Sequence, residues 1–194
     1  MLASWTECLY ANRADHTAVS SFTSEASLLA GTNTQPVFPP GFFFDGNRPG
    51  KTIQVYASGI LACTGTPTYT FYLRIGSTVG SSYLSGTAVL VSAAITCASG
   101  ISDKRWELYG RITVRTPGLS TSNTTMSASG IVFSHGGFAS PYTYALSPGG
   151  GESATWTSTL DASVQHYLNL SVACSASSAS NTITCKELVV SALN

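Results

Sequence analysis

Apolar and polar residues alternate along much of the chain, most clearly in residues 104–116, KRWELYGRITVRT. One side of this alternation carries four large apolar residues, Trp106, Leu108, Ile112 and Val114. A period of two is typical of a β-strand with one buried face. We therefore predict a strand here, with these four side chains in the hydrophobic core.

The same period recurs in several shorter runs that are separated by turn residues. In residues 164–174 it places Leu168 and Leu170 on the buried side, so both are predicted core residues. No segment has a helical period of any length. Short strands at irregular spacing favour an all-β fold, and specifically an antiparallel two-sheet β-sandwich of jelly-roll type.

The N-terminal part of the chain lacks a clear period of either kind. We predict an extended N-terminal arm over residues 1–34 and a single β-jelly-roll domain over residues 35–194, because one all-β domain accommodates a chain of this size. The arm contains Trp5, Tyr10 and Phe22, which are costly to leave in water. We expect these three residues to contact a partner.

Charged residues make up 9% of the chain, and nine basic residues balance nine acidic ones. A neutral, charge-poor surface favours association, because little electrostatic repulsion keeps copies apart. Nucleic acid is not an expected partner, since its binding requires an excess of basic residues. No membrane partner is expected either, because no apolar run approaches the roughly 20 residues that span a bilayer and no export signal is recognised.

Charge gathers on the outward side of residues 104–116, where Arg105, Arg111 and Arg115 alternate with the core positions. Two interpretations stay open. The row is simply the solvated face of an antiparallel sheet, or it is a contact surface whose arginines pair with carboxylates of a partner. We therefore treat the three arginines as candidate partner-contact residues.

The five cysteines show no CxxC spacing, which argues against a zinc site and against a complete disulfide framework. Free buried thiols are the expected state. An alternative is that Cys174 and Cys185 face each other across a hairpin and are bonded.

Motifs of catalysis are missing from the sequence. Residues 134–137, SHGG, resemble the oxyanion-hole glycines of lipases, but no G-x-S-x-G nucleophile motif accompanies them. The three histidines have no metal-ligand spacing, and no spacing singles out a pair of carboxylates. We predict no catalytic residue, no cofactor and no metal site, so the chain is expected to be a structural or binding protein and not an enzyme.

Three segments resemble virion structural proteins of tailed bacteriophages, over roughly residues 36–194. The first is PPGFFFDGNRPGKTIQVYASGILACTGTPTYTFYLRIGST, the second is WELYGRITVRTPG and the third is the terminal NTITCKELVVSALN. They occur in the same order as in that family. The resemblance implies a C1q/TNF-like jelly-roll that trimerises on the virion surface, and it implies no catalytic residues.

Two function classes follow from this resemblance. The first is a trimeric capsid decoration, or cement, protein that binds the major capsid protein and stabilises the head lattice. The alternative is a tail or fibre-associated jelly-roll protein that binds a host receptor or glycan. The chain has no collagen-like or coiled-coil segment, which favours decoration. The expected location is the capsid surface of the virion, after synthesis in the host cytoplasm.

Overall fold

The structure is a computed structural model that describes residues 6–29, 35–44, 51–77, 84, 86–119, 124–149 and 156–193. Within these residues the regular secondary structure is β-strand, and no α-helix occurs there. The strands are β1 (Thr6–Ala11), β2 (Val19–Ser20), β3 (Ala26–Ser27), β4 (Val37–Phe38), β5 (Thr52–Cys63), β6 (Thr68–Gly76), β7 (Thr87–Ser92), β8 (Ile95–Thr96), β9 (Ile101–Thr116), β10 (Thr124–Phe133), β11 (Thr143–Pro148), β12 (Trp156–Ser158), β13 (His166–Cys174) and β14 (Thr182–Leu193).

These strands form one antiparallel sheet, which confirms the all-β part of the sequence prediction. Hydrogen-bonded neighbours follow the order β1-β14-β5-β9-β10-β11-β7-β6-β13-β3. The short strands β12, β2, β4 and β8 attach to β10, β14, β13 and β6 respectively. The central strands β5 and β9 are long and pair along nearly their whole length, so they form a rigid middle for the sheet.

The sheet curls so that β9 faces strands that lie far from it in the hydrogen-bonded order. The rings of Trp106 on β9 and Phe71 on β6 have centroids 5.4 Å apart. A Cβ atom added at Gly110 would lie 3.1 Å from a methyl carbon of Leu90 and 3.4 Å from one of Leu73. The inner face of β9 therefore packs directly on β6 and β7, and the core lies between them.

The six residues that the alternation assigns to the core lie deep inside the curled sheet. None of them is more than 1% exposed; they are Trp106, Leu108, Ile112, Val114, Leu168 and Leu170. Trp106 fits because its cross-strand partner on β5 is Gly59. A Cβ atom at Gly59 would lie 2.9 Å from the Trp106 ring and 1.8 Å from the backbone oxygen of Thr184.

Residues 6–29 belong to the segment predicted to be an arm. They contribute strands at both edges of the sheet. Strands β1 and β2 pair with β14, and β3 pairs with β13. Leu28 and Leu29 are buried in the common core, and Tyr10 packs against it. Phe22 also packs there, with its ring centroid 6.3 Å from that of Tyr69. Trp5 lies outside the described residues.

A half-buried ion pair fixes β3 to the neighbouring strands. The guanidinium of Arg74 on β6 donates to both carboxylate oxygens of Glu25, at 2.7 Å each, and also to the backbone oxygen of Gly86. The hydroxyl of Ser171 on β13 donates to the same carboxylate. Because the pair is bidentate and both side chains are mostly shielded from water, it contributes more than an ordinary surface salt bridge.

Candidate functional site

Among the described residues, no group of three or more histidine, cysteine, aspartate or glutamate side chains is placed to hold a metal ion. The SHGG segment is structural in its contacts, because the Ser134 hydroxyl donates to the backbone oxygen of Arg105. Buried His166 lies with Nε2 2.5 Å from the backbone oxygen of Asp161, which anchors a loop.

No helix among the described residues is long and apolar enough to cross a membrane.

All five cysteines are free thiols, including the pair considered for a hairpin disulfide. The thiol of Cys174 donates to the backbone oxygen of Ala176, and that of Cys185 donates to the backbone oxygen of Glu187. Burial raises the pKa of Cys185 to about 12 and also raises the pKa of Cys97. These two thiols are therefore protonated at neutral pH and poor nucleophiles.

The most distinctive surface is the outward side of strands β14, β5, β9 and β10, which we call the outer face. Strand register places an apolar and aromatic row across it, because Val189 pairs with Tyr56, Tyr56 with Tyr109, and Tyr109 with Ile131. Tyr109 and Ile131 are 44% and 42% exposed. The row lines a depression of about 450 Å³. A concave surface with exposed aromatic rings is a typical binding site.

One end of the outer face is tied down by a hydrogen-bonded network around Glu107. The hydroxyls of Tyr56 and Tyr109 donate to its Oε2 at 3.4 Å and 3.2 Å. Arg105 pairs with Oε1 at 3.0 Å and also donates to the Tyr56 hydroxyl. The two tyrosine rings have centroids 4.9 Å apart, and the Tyr109 ring is parallel to that of Phe133. The network therefore fixes the rings before any ligand arrives.

The other end of the outer face carries two cations that pair with no carboxylate in the described part of the chain. Arg111 and Arg115 are exposed on β9, and neither forms an ion pair with any described residue. A second depression of about 250 Å³ lies between them and the hydroxyls of Thr113, Ser127 and Ser129. Arg111 and Ser129 line both depressions, so the aromatic and the basic parts adjoin each other, and we call them together the trough.

The structure thus separates the predicted partner-contact residues into different environments. Tyr10 and Phe22 pack on the chain's own core, whereas Arg105 is occupied by Glu107. Arg111 and Arg115 lie at one end of the trough. The exposed tyrosine row was missed by sequence reasoning, although the alternation in residues 104–116 already places Tyr109 on the outward side.

A second exposed apolar surface lies where three loops meet, and we call it the apolar end. The loops are joined by backbone hydrogen bonds from Gly41 to Ala162 and from Ala162 to Gly118. Large apolar side chains on or beside these loops are 39–45% exposed; they are Val37, Phe44, Leu119 and Val164. The hydrogen bonds bring the loops that carry these side chains to the same region, and exposed apolar patches are typical of protein contact sites.

No family model matches the chain, and a search of curated proteins returns no match either.

Proposed function

We propose that the chain is a bacteriophage virion structural protein that assembles as a homotrimer of C1q/TNF-like jelly-roll domains. The sequence resemblance of three segments supports this proposal. A curled antiparallel sheet is compatible with such a domain, because β9 packs face to face on β6 and β7. The role that fits first is capsid decoration, in which trimers bind the major capsid protein and reinforce the head lattice.

The single observation that carries the self-association is the apolar end. Its residues expose large apolar side chains on a chain in which only 9% of residues are charged. Removing apolar surface from water stabilises a complex by about 25 cal/mol per Å² before the costs of association. A symmetric homotrimer repeats the same contact on every subunit, so a single apolar surface serves all three contacts when it surrounds the three-fold axis.

A second candidate is a tail or fibre-associated protein that binds a host receptor or glycan. The trough on the outer face favours it, because ordered aromatic rings and arginines that pair with no described carboxylate are suited to binding a ligand. The two candidates differ in location, which immunogold labelling of intact virions measures. Label spread over the head supports decoration, and label confined to the tail supports the second candidate.

Sedimentation equilibrium of the purified chain tests the oligomer. We expect a trimer at micromolar concentration, and we expect Val164→Asp to dissociate it by burying an unpaired charge at the contact. Ile131→Asp is the matched control, because Ile131 is similarly exposed but lies on the outer face. A monomeric wild-type protein would overturn the proposed trimer. If Ile131→Asp dissociates the trimer and Val164→Asp does not, the subunit contact lies on the outer face and not at the apolar end.

A further inference from the structure

We propose that the trough on the outer face binds a short saccharide with neutral sugar rings and one acidic group at its end. The inference does not depend on the virion role, because it rests on the geometry of a single chain. It concerns the rings of Tyr56 and Tyr109, the cation of Arg111 and the hydroxyls that line the depressions between them.

The aromatic part of the trough fits the apolar face of a sugar ring. A pyranose ring presents C–H groups on its faces and hydroxyls around its edge, and C–H groups are attracted to the negative face of an aromatic ring. Tyr109 is 44% exposed, and its hydroxyl is held by Glu107. Because the ring is already ordered, stacking costs little further conformational entropy.

The rim of the depression supplies hydrogen-bonding groups for the sugar hydroxyls. Gln54, Ser191 and Ser129 line it, and strand register places them in one cross-strand row with Arg111. An amide both donates and accepts, as does a hydroxyl, which matches the mixed donor and acceptor character of sugar hydroxyls. Apolar walls with a few polar groups at the edge are the usual composition of a small-ligand site.

The basic end fixes the position of the acidic group. Tyr109 and Arg111 are two residues apart on the same face of β9, which corresponds to about 7 Å. That separation is close to the width of one sugar ring, so a ring stacked on Tyr109 places the next substituent beside Arg111. Arg111 has no carboxylate partner among the described residues, and Arg115 follows in the second depression. A guanidinium binds a carboxylate or sulfate through two parallel hydrogen bonds.

The charge pattern along the face disfavours two other anionic occupants. Glu107 and Arg111 flank the aromatic row on opposite sides, and Glu187 is near Glu107 because both pair across strands with Ser58. A nucleic acid carries a negative charge at every nucleotide, so part of its backbone would meet these carboxylates. A run of acidic residues in a protein partner would meet them too. A ligand that is neutral along the rings and acidic at one end avoids this repulsion.

The first experiment compares matched ligands on the wild-type protein by isothermal titration calorimetry. The probes are 3′-sialyllactose, lactose and 3′-sulfolactose, which share two neutral rings and differ in the acidic group. We expect at least one acidic probe to bind about tenfold or more tightly than lactose, the ratio that one charge-assisted hydrogen bond supplies. Preference for sialyllactose identifies a carboxylate ligand, and preference for sulfolactose identifies a sulfate ligand. Equal binding of all three probes, or no binding of any, would overturn the proposal.

The second experiment uses variants to locate the site. Arg111→Gln should raise the Kd of the preferred acidic probe about tenfold and leave that of lactose unchanged, whereas Tyr109→Ala should weaken both. Lys186→Gln, which removes one positive charge in the same way, is the control with unchanged affinity, since Lys186 pairs with Asp15 and lines neither depression. Thermal melting checks that each variant is folded. Acidic-probe affinity that is insensitive to Arg111→Gln would refute the assignment.

The remaining outcomes identify a different occupant. If a single-stranded oligothymidylate binds more tightly than either acidic sugar, the trough is a nucleic-acid site. If a hexaglutamate peptide does so, the trough is a site for an acidic protein segment. Dissociation of the oligomer by Ile131→Asp would show that a second copy covers the outer face. Tighter binding of these probes or dissociation by Ile131→Asp would refute the saccharide site. Tighter binding of the probes alone leaves the proposed trimer intact.

Discussion

Trp106 is the side chain whose removal should cost the fold most. It is fully buried, its ring packs 5.4 Å from that of Phe71, and it lies over Gly59, which has no side chain to fill the space that the ring would vacate. Large-to-small substitutions of buried aromatic residues cost about 3–5 kcal/mol. We therefore expect Trp106→Ala to lower the unfolding free energy by that amount.

The indole nitrogen of Trp106 makes a second, sharper expectation possible. Nε1 is buried and has no hydrogen-bond partner among the described residues. An unsatisfied buried donor costs about 1–3 kcal/mol, and phenylalanine would remove it while keeping an aromatic ring in place. Trp106→Phe should therefore cost less than about 1.5 kcal/mol, far below the cost of alanine.

Urea denaturation followed by far-ultraviolet circular dichroism measures both variants without relying on tryptophan fluorescence. The control is Arg115→Ala, an exposed position on the same strand, which should change stability by about 0.5 kcal/mol or less. For a domain of this size, the alanine variant should also melt roughly 6–20 °C lower. A cost for Trp106→Ala below about 1 kcal/mol would refute the packing of β9 on β6. Equal costs for alanine and phenylalanine would refute the unsatisfied indole.

Four further predictions concern other parts of the fold. Glu25→Gln should destabilise the chain by about 3 kcal/mol because it leaves Arg74 half-buried without its carboxylate, and a change below about 0.5 kcal/mol in urea denaturation would contradict that role. Gly59→Ala should cost about 3 kcal/mol or prevent folding, since the added carbon would overlap the backbone oxygen of Thr184; soluble, normally melting protein would show that the pairing of β5 and β14 is wrong. Cys8 should be the fastest cysteine to react with a maleimide in native protein at pH 7, before four buried cysteines that react after unfolding, Cys63, Cys97, Cys174 and Cys185. Burial raises the pKa of Cys63, Cys97 and Cys185 above the unfolded value of 9.0. The stability that these three protonated thiols contribute is therefore complete below pH 9 and is lost as the pH rises further, which melting curves across that range measure.

The sequence by itself determined the class of secondary structure and the two sides of the longest strand. In residues 104–116, neighbouring side chains point to opposite faces because of the extended backbone itself. The alternation therefore separated Trp106 from Tyr109 without any knowledge of the partner strands. The all-β prediction is confirmed for the same reason, since a period of two is a local property of the chain.

The tertiary structure alone decided which residues meet across strands. Tyr56 and Tyr109 touch because β5 and β9 pair in one particular register, and residues 53 positions apart carry no local signal of that register. The same holds for residues 6–29, whose weak pattern predicted an arm. Their strands are only two to six residues long, and they are held by β13 and β14 near the other end of the chain.

The trough shows most directly why local pattern was insufficient. Alternation placed Arg105, Arg111 and Arg115 on one side, but it could not distinguish the arginine that is bound to Glu107 from the two that have no carboxylate partner among the described residues. That difference depends on which side chains of other strands lie within reach of each arginine. Those distances exist only once the sheet is assembled. Local geometry thus fixed the face of each side chain, and long-range pairing fixed its neighbours.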